Sequence, residues 1–345
     1  MNGYQEHWQK LNSELREIER SSGDLRAVFA ALNQHQLDTG FIRDHMGSVE
    51  RFEFCDPENG ERCLRIQFNP ERASRFNGAG ISKPPSTMQS LHDGCFLCPA
   101  NIHWQQEGRQ LGYEFHLGSG AYTALMNPFP LLPGHVVIAS KDHQGQEWSL
   151  HESGEIEPGQ IIADIVELVS RAPGYAGFYN GVNAGASIPG HLHYQMFRPL
   201  QDHRRFPLEI EAAQAREQHP GKPSWRLDSY PMDSMHWHGQ PGEIVRRATS
   251  WVAEWATHQE QLPELTANII AISDEHSPEV SLFFVPRDRQ KSVAPGLAGK
   301  VGGLEVLGEL VFSTAEEQEL LASGQLDYFN LERVLSEVRT PLNMP

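Results

Sequence analysis

The segment Gly190-His191-Leu192-His193-Tyr194-Gln195-Met196-Phe197 sets two imidazoles and a primary amide at alternate positions of an apolar run. Read as a strand, it puts His191, His193 and Gln195 on one face. Leu192, Tyr194 and Met196 then point the other way, into a core. Two imidazoles and an amide on one strand face are costly unless they have partners. A small-residue loop, Asn180-Gly181-Val182-Asn183-Ala184-Gly185-Ala186-Ser187, precedes the strand. Its backbone N–H groups and the Ser187 hydroxyl can meet phosphate oxygens. Loop and strand together could therefore hold a phosphate-bearing ligand. The same spacing also fits a strand with two exposed histidines. His236-Trp237-His238 has that spacing without a glycine loop or a patterned strand, and reads as structural or incidental.

A second feature is Cys95-Phe96-Leu97-Cys98. Two thiolates two residues apart can chelate one metal ion from a single turn. A redox pair is the other reading, and it needs an activated thiol at a helix start. Two cysteines make half a zinc site, so the missing ligands would be histidines. The chain has 4 cysteines, with Cys55 and Cys63 the others. That is too few for a disulfide framework at this length.

These groups need a scaffold. Residues 6–20 read as an amphipathic helix with Trp8, Leu11, Leu15 and Ile18 on one face. Strand-like runs follow near 50–56 and 63–69, then a Gly/Ser/Pro loop at 73–94 and a tight turn at 95–98. The strands Ala121–Asn127 and His135–Ser140 flank a Pro/Gly turn and form a hairpin-like unit. Pro158–Arg171 is a helix, Gly177–Asn180 a short strand, and 201–225 a polar linker or excursion. A helix at 242–258 and strands near 267–272 and 279–286 come next. A Gly-rich loop (295–303), a strand near 304–312 and helices at 315–323 and 329–338 complete the chain. The strand and basic turn of 133–143 echo 280–289, which is compatible with two related halves.

The chain has 345 residues, 39% hydrophobic and 21% charged, enough to bury a sizeable core in one large domain or two ordinary ones. A net charge of −17 repels nucleic acid and anionic membranes at long range. An anionic substrate would have to be met by local cations or a metal. Lys141, Arg198, Arg204, Arg205, Arg287 and Arg289 are available. Arg72 and Lys300, in loops with Gly and Asn/Pro nearby, are better placed. No run approaches the ~18 apolar residues of a membrane span, and no signal peptide is visible. A cytoplasmic, membrane-free protein is expected.

The order of these motifs resembles the galactose-1-phosphate uridylyltransferases, a branch of the histidine-triad superfamily. It consists of Cys95-Phe96-Leu97-Cys98-Pro99-Ala100-Asn101, Asn127-Pro128, Pro133-Gly134-His135, Ser140-Lys141-Asp142-His143, Asn180 and the His-x-His-x-Gln strand. The run 177–195 is also similar to GDP-hexose phosphorylases. Phe68-Asn69-Pro70-Glu71-Arg72 and the cysteine turn look like a bacterial group of this branch. The resemblance covers roughly 60–340 and leaves out 1–45.

It implies an α+β fold: a histidine-triad-like antiparallel sheet with flanking helices, in two such halves. The divisions would be a helical extension (1–49), a catalytic half with the zinc and nucleotide sites (50–200), and a second half (201–345). It implies a nucleotidyltransferase or phosphorylase acting on a nucleoside diphosphate hexose or a dinucleoside polyphosphate. His193 would be the nucleophile, forming a nucleotidyl-histidine, and Gln195 would donate to a phosphate oxygen. Phosphate or a sugar 1-phosphate would be the acceptor. Glutamine stands where hydrolytic members have histidine and has no proton to relay, which favours transfer. A hydrolase and a non-catalytic zinc-containing nucleotide-binding protein are the alternatives. Cys95, Cys98, His143 and His191 would form a closed structural zinc site. Asn127 would hold the ribose, and Asn180 and Ser187 phosphate oxygens, with Arg72 and Lys300 as candidate cations. The resemblance also admits a homodimer. The motif reads His-Leu-His-Tyr-Gln where the uridylyltransferases have His-Pro-His-Gly-Gln, a departure toward the phosphorylase-like branch.

Overall fold

The computed structural model describes residues 2–42, 46–72, 92–104, 108–148, 156–202, 205–259, 264–294 and 298–343. Most of the 73–94 loop, Arg204 and residues 295–297 lie outside them. Within them, nine helices flank two sheets. The helices are α1 (Asn2–Ser22), α2 (Leu25–Asp38), α3 (Pro99–Ile102), α4 (Pro158–Arg171), α5 (Pro207–Gln218), α6 (Pro241–Thr257), α7 (Gly303–Val306), α8 (Ala315–Ala322) and α9 (Tyr328–Glu337).

The larger sheet has nine strands in the order β3-β4-β5-β7-β6-β10-β11-β9-β8. They are β3 (Gly112–Leu117), β4 (Gly120–Met126), β5 (Val136–Ser140), β6 (Ala176–Asn180), β7 (His193–Phe197), β8 (Trp225–Arg226), β9 (Met235–Gly239), β10 (Leu265–Ser273) and β11 (Val280–Asp288). Every pairing in it is antiparallel. The fold is α+β, with one antiparallel sheet running continuously from early to late residues across the β6–β10 seam.

The period of two divides the sheet into two cores. One face carries Tyr194, Met196, Tyr179, Ile269 and Phe284, covered by α4 and α6. The other carries Phe178, Phe197, Ile270, Phe283 and Val285. This second core is closed by a smaller sheet, β1 (Glu50–Cys55), β2 (Cys63–Phe68) and β12 (Glu309–Phe312), in which β12 runs parallel to β2. α1 protects the edge strand β3: Asn12 donates to the Gly112 carbonyl at 2.9 Å and accepts from the Glu114 N–H at 2.8 Å.

Several elements differ from the sequence reading. The 201–225 stretch is not a linker, because it holds α5, which buries Leu208 and Ala212. Its apolar stripe is too sparse to show as periodicity. α2 was not expected; Asp24 caps it by accepting from the Ala27 N–H. The expected strand at 304–312 is the helical turn α7 followed by β12, separated at Gly308, whose φ of +97° ends the turn. His236, Trp237 and His238 do lie on a strand, β9, with His236 buried against Phe283. Cys55 and Cys63 face each other across β1 and β2 and form a disulfide, which their separation in the sequence did not suggest. No described helix is long and apolar enough to cross a membrane.

Glu209 accepts from the Phe206 N–H at 2.9 Å at the start of α5, and burial pushes its carboxyl up to about 7. The folded state therefore holds a proton that the unfolded chain releases near 4.5. This contribution is intact below about pH 4.5 and lost as pH rises through about 7. Glu209→Gln keeps the acceptor without the charge. Its melting temperature relative to wild type should rise between pH 4.5 and 8.

Candidate active site and metal centre

His193 opens β7. Its ring Nδ1 lies 2.8 Å from the His191 carbonyl oxygen. A carbonyl only accepts, so Nδ1 carries a proton, and in the neutral ring the lone pair is on Nε2. The imidazole is buried and faces the second core's side of the sheet together with Gln195, while Tyr194 faces the other side. Tyr194 and Tyr122 donate their hydroxyls to Asp164 of α4 at 2.8 and 2.7 Å. Burial pushes the Asp164 carboxyl up, and the two tyrosines supply the donors that such a buried group needs. The aromatic residue of the motif thus anchors the strand that carries His193.

His191 is not on β7, contrary to the simple alternation. It sits in a bend before the strand, where the Leu192 N–H turns to the Gln144 carbonyl at 2.7 Å. Its Nε2–H donates to the Ser140 carbonyl at 2.8 Å, leaving the lone pair on Nδ1. Nδ1 then lies 3.4 Å from Cys95 Sγ and 3.6 Å from Cys98 Sγ. His143 Nδ1 is 3.0 Å from Cys98 Sγ. All four ligand atoms fall within 4.8 Å of one another. A tetrahedral ion with metal–sulfur bonds of ~2.3 Å and metal–nitrogen bonds of ~2.0 Å implies S···N edges of about 3.5 Å. The four expected ligands are brought together at that spacing, and they could hold a metal. The backbone carbonyl behind His191 is the outer partner that such ligands need. Burial, then the neighbouring Cys95, pushes the Cys98 thiol up to about 12. Asn101 ties the turn by donating to the Cys95 carbonyl at 3.0 Å.

The expected substrate residues are distributed as follows. Asn180 ends β6, where its Oδ1 accepts from Asn268 Nδ2 at 2.7 Å and from the Gly303 N–H at 2.9 Å. Asn268 also accepts from Arg287, a fully buried cation whose guanidinium donates to the Val301 carbonyl. Burial lowers Arg287 to about 10. The Asn180 side chain thus braces the loop after β6 against the 298–303 segment. Gly185, at φ +98°, touches Gly302 so closely that a side chain there would run into the Gly302 backbone. Ser187 and Lys300 are exposed on these two segments. Asn127 accepts from the Phe129 N–H at 2.9 Å, and buried Arg72 donates to the Phe129 carbonyl at 2.7 Å, so both side chains hold the turn after Asn127.

Two residues to which the sequence reading gave no role belong to this site. The β6–β7 ladder ends at Phe178↔Gln195. Beyond it the side chain of Gln146 stands between the strands. It accepts from the His193 N–H at 3.1 Å and donates to the Asn180 and His193 carbonyls at 2.7 and 3.1 Å. His135 contacts Gln195, with Nε2 3.0 Å from Oε1. No sequence signal marks Gln146, whereas His135 stood inside a quoted motif.

A crystal structure of yeast Ap4A phosphorylase Apa2 matches with a TM-score of 0.58 and 16% identity, over 90% of this chain and 94% of that one. The same enzyme in complex with Ap4A gives 0.57 and 17%, over 90% and 98%. This chain has the histidine-triad-like fold. A family described as a domain of unknown function (DUF4922) matches residues 32–198, a span that includes the four candidate metal ligands, His193 and Gln195. No curated protein matches the chain.

Two outcomes follow from the geometry. Elemental analysis of the purified protein should give about one divalent metal ion per chain, and Cys98→Ser should reduce it to less than half. Gln146→Ala leaves three buried backbone groups without partners and should cost about 3 kcal/mol in denaturant unfolding.

Proposed function

We propose that this chain is a nucleotidyltransferase of the phosphorylase type, acting through a covalent nucleotidyl-His193 intermediate. The observation that carries the reading is the hydrogen bond from His193 Nδ1–H to the His191 carbonyl. It fixes the tautomer that presents Nε2 as a nucleophile.

His193 Nε2 attacks the α-phosphorus of the donor. An N–P bond forms, the P–O bond to the leaving group breaks, and the leaving group (ATP from Ap4A, a sugar 1-phosphate from a nucleoside diphosphate hexose) departs with that electron pair. A phosphate or sugar 1-phosphate oxygen then attacks the same phosphorus. The N–P bond breaks and the imidazole is regenerated. Gln195 donates an amide N–H to a non-bridging oxygen as charge develops. It carries no proton for a relay, which favours a phosphate acceptor over water. Arg72 and Arg287 offset the chain's negative charge from within the fold.

Residues 50–200 supply the reacting groups in this reading, and residues 201–345 brace them through Asn268 and Arg287. Asn127 is assigned to the ribose, and Ser187 and Lys300 to the donor's phosphates. Cys95, Cys98, His143 and His191 would hold zinc; four protein ligands leave no open position, so it would brace the bend before His193. Among donors, Ap4A comes first, because the yeast enzyme with this fold is an Ap4A phosphorylase solved with Ap4A and with AMP. Nucleoside diphosphate hexoses are the second donor class.

The test is intact-mass spectrometry after brief incubation with Ap4A, GDP-glucose, ADP-glucose or UDP-glucose. One donor should add the mass of one nucleoside monophosphate, phosphate should discharge it, and His193→Ala should abolish it. An equal adduct on His193→Ala would refute the assignment.

A further inference from the structure

We infer that His135 is a positioning residue for the transfer reaction, acting through Gln195. The inference rests on the reading of His193 as nucleophile and goes beyond it to the second group at the phosphorus.

A primary amide can sit in two orientations of nearly equal shape, related by a half turn about its last side-chain bond. One presents two N–H donors to a neighbouring group; the other presents a carbonyl oxygen. Against an anionic phosphate the first is attractive and the second repulsive. Gln195 is only partly buried. Its usefulness therefore depends on what removes the wrong orientation.

The surroundings of His135 do so in two steps. The Leu131 backbone N–H donates to His135 Nδ1 at 3.1 Å. A nitrogen that accepts carries no proton, so His135 is neutral with its proton on Nε2. That Nε2 lies 3.0 Å from Gln195 Oε1 and must donate to it. The amide oxygen is thus claimed from behind, and its NH2 group is turned away from His135. The alternative orientation would set NH2 against an N–H and lose the bond.

His135 itself has little freedom. It is 1% exposed and meets Phe197 edge-on, with ring centroids 6.0 Å apart. Its backbone carbonyl accepts from the Asn127 N–H at 3.0 Å. The preceding Gly134, at φ +65°, packs under the Tyr175 hydroxyl. A backbone N–H in the 128–134 turn thus sets the direction of an amide on β7, two residues from the nucleophile and on the same face.

The experiment compares wild type, His135→Leu, His135→Gln, Gln195→Ala and the two His135 variants in the Gln195→Ala background. For each, the rate of nucleotidyl-His193 formation is measured at saturating donor, alongside KM and metal content. His135→Leu should slow adduct formation about tenfold, short of the larger loss expected when the donor is removed outright, with KM within about twofold. His135→Gln can accept from Leu131 and donate to Gln195, so it should recover most of the rate. In the Gln195→Ala background neither His135 variant should slow the reaction further. Equal losses in both backgrounds would overturn the inference in favour of a merely structural role, as would no loss in either. If His135→Leu does not fold, His135→Gln and His135→Gln/Gln195→Ala against their parents make the same comparison. Wild type forming no adduct would remove the parent reading and this inference with it. A normal wild-type adduct with additive variants would remove only the role of His135.

Discussion

The hydrogen bond between His193 Nδ1 and the His191 carbonyl joins the two centres of this molecule. His191 uses its ring toward Cys95 and Cys98, and its backbone oxygen toward the next histidine. Both uses require the bend at 191–192 and would be lost if β7 began two residues earlier. The departure from regular strand geometry is what lets the candidate metal ligands and the His193 imidazole sit side by side. Everything around it holds that bend in place: Ser140 behind His191, Gln144 against Leu192, and Asp164 gripping Tyr194 from the opposite face.

The rest of the site follows from the cost of placing polar groups inside a sheet. Histidine, glutamine and asparagine side chains near mid-sheet positions must each be paired. The structure pairs them in short chains that end on backbone groups. Leu131 fixes His135, which fixes Gln195. Arg287 reaches Asn268, which reaches Asn180, which in turn accepts from the Gly303 N–H. Gln146 takes the place of the missing β6–β7 ladder bonds and leaves those strands apart where the loop after Asn180 begins. The polar row from β7 to β11 depends on strands from both ends of the sequence, so the later half of the chain braces the candidate site.

The residue types could be read from the sequence where the chemistry is local. The His193/Gln195 alternation on β7, the two-residue cysteine spacing and the Pro158–Arg171 helix each depend on neighbours within a few positions, whereas the bend that takes His191 off the strand does not show in them. The four candidate metal ligands do converge; two cysteines called only for histidines, and it was the resemblance that singled out His143 and His191 from the chain's 17. What stayed hidden is set by long-range pairing. Gln146 reaches His193 across 47 positions and His135 reaches Gln195 across 60. Polar residues in loops and turns give no periodic signal for such partners. The Cys55–Cys63 bridge was hidden for a related reason: only the β1–β2 register sets the two sulfurs opposite each other. α5 escaped because its apolar residues form no clear stripe, and a helix that buries only Pro207, Leu208 and Ala212 among them resembles a solvated loop until a core forms beside it.

The most direct measurement of the central claim is the tautomer of His193. Long-range proton–nitrogen NMR on protein labelled with nitrogen-15 histidine, assigned with His193→Asn, reports which ring nitrogen is protonated. The account predicts a neutral ring with the proton on Nδ1 and Nε2 unprotonated near pH 7. A ring protonated on Nε2 alone would contradict it, because the nitrogen facing the His191 carbonyl would then have no proton to give and the nucleophile no lone pair to present.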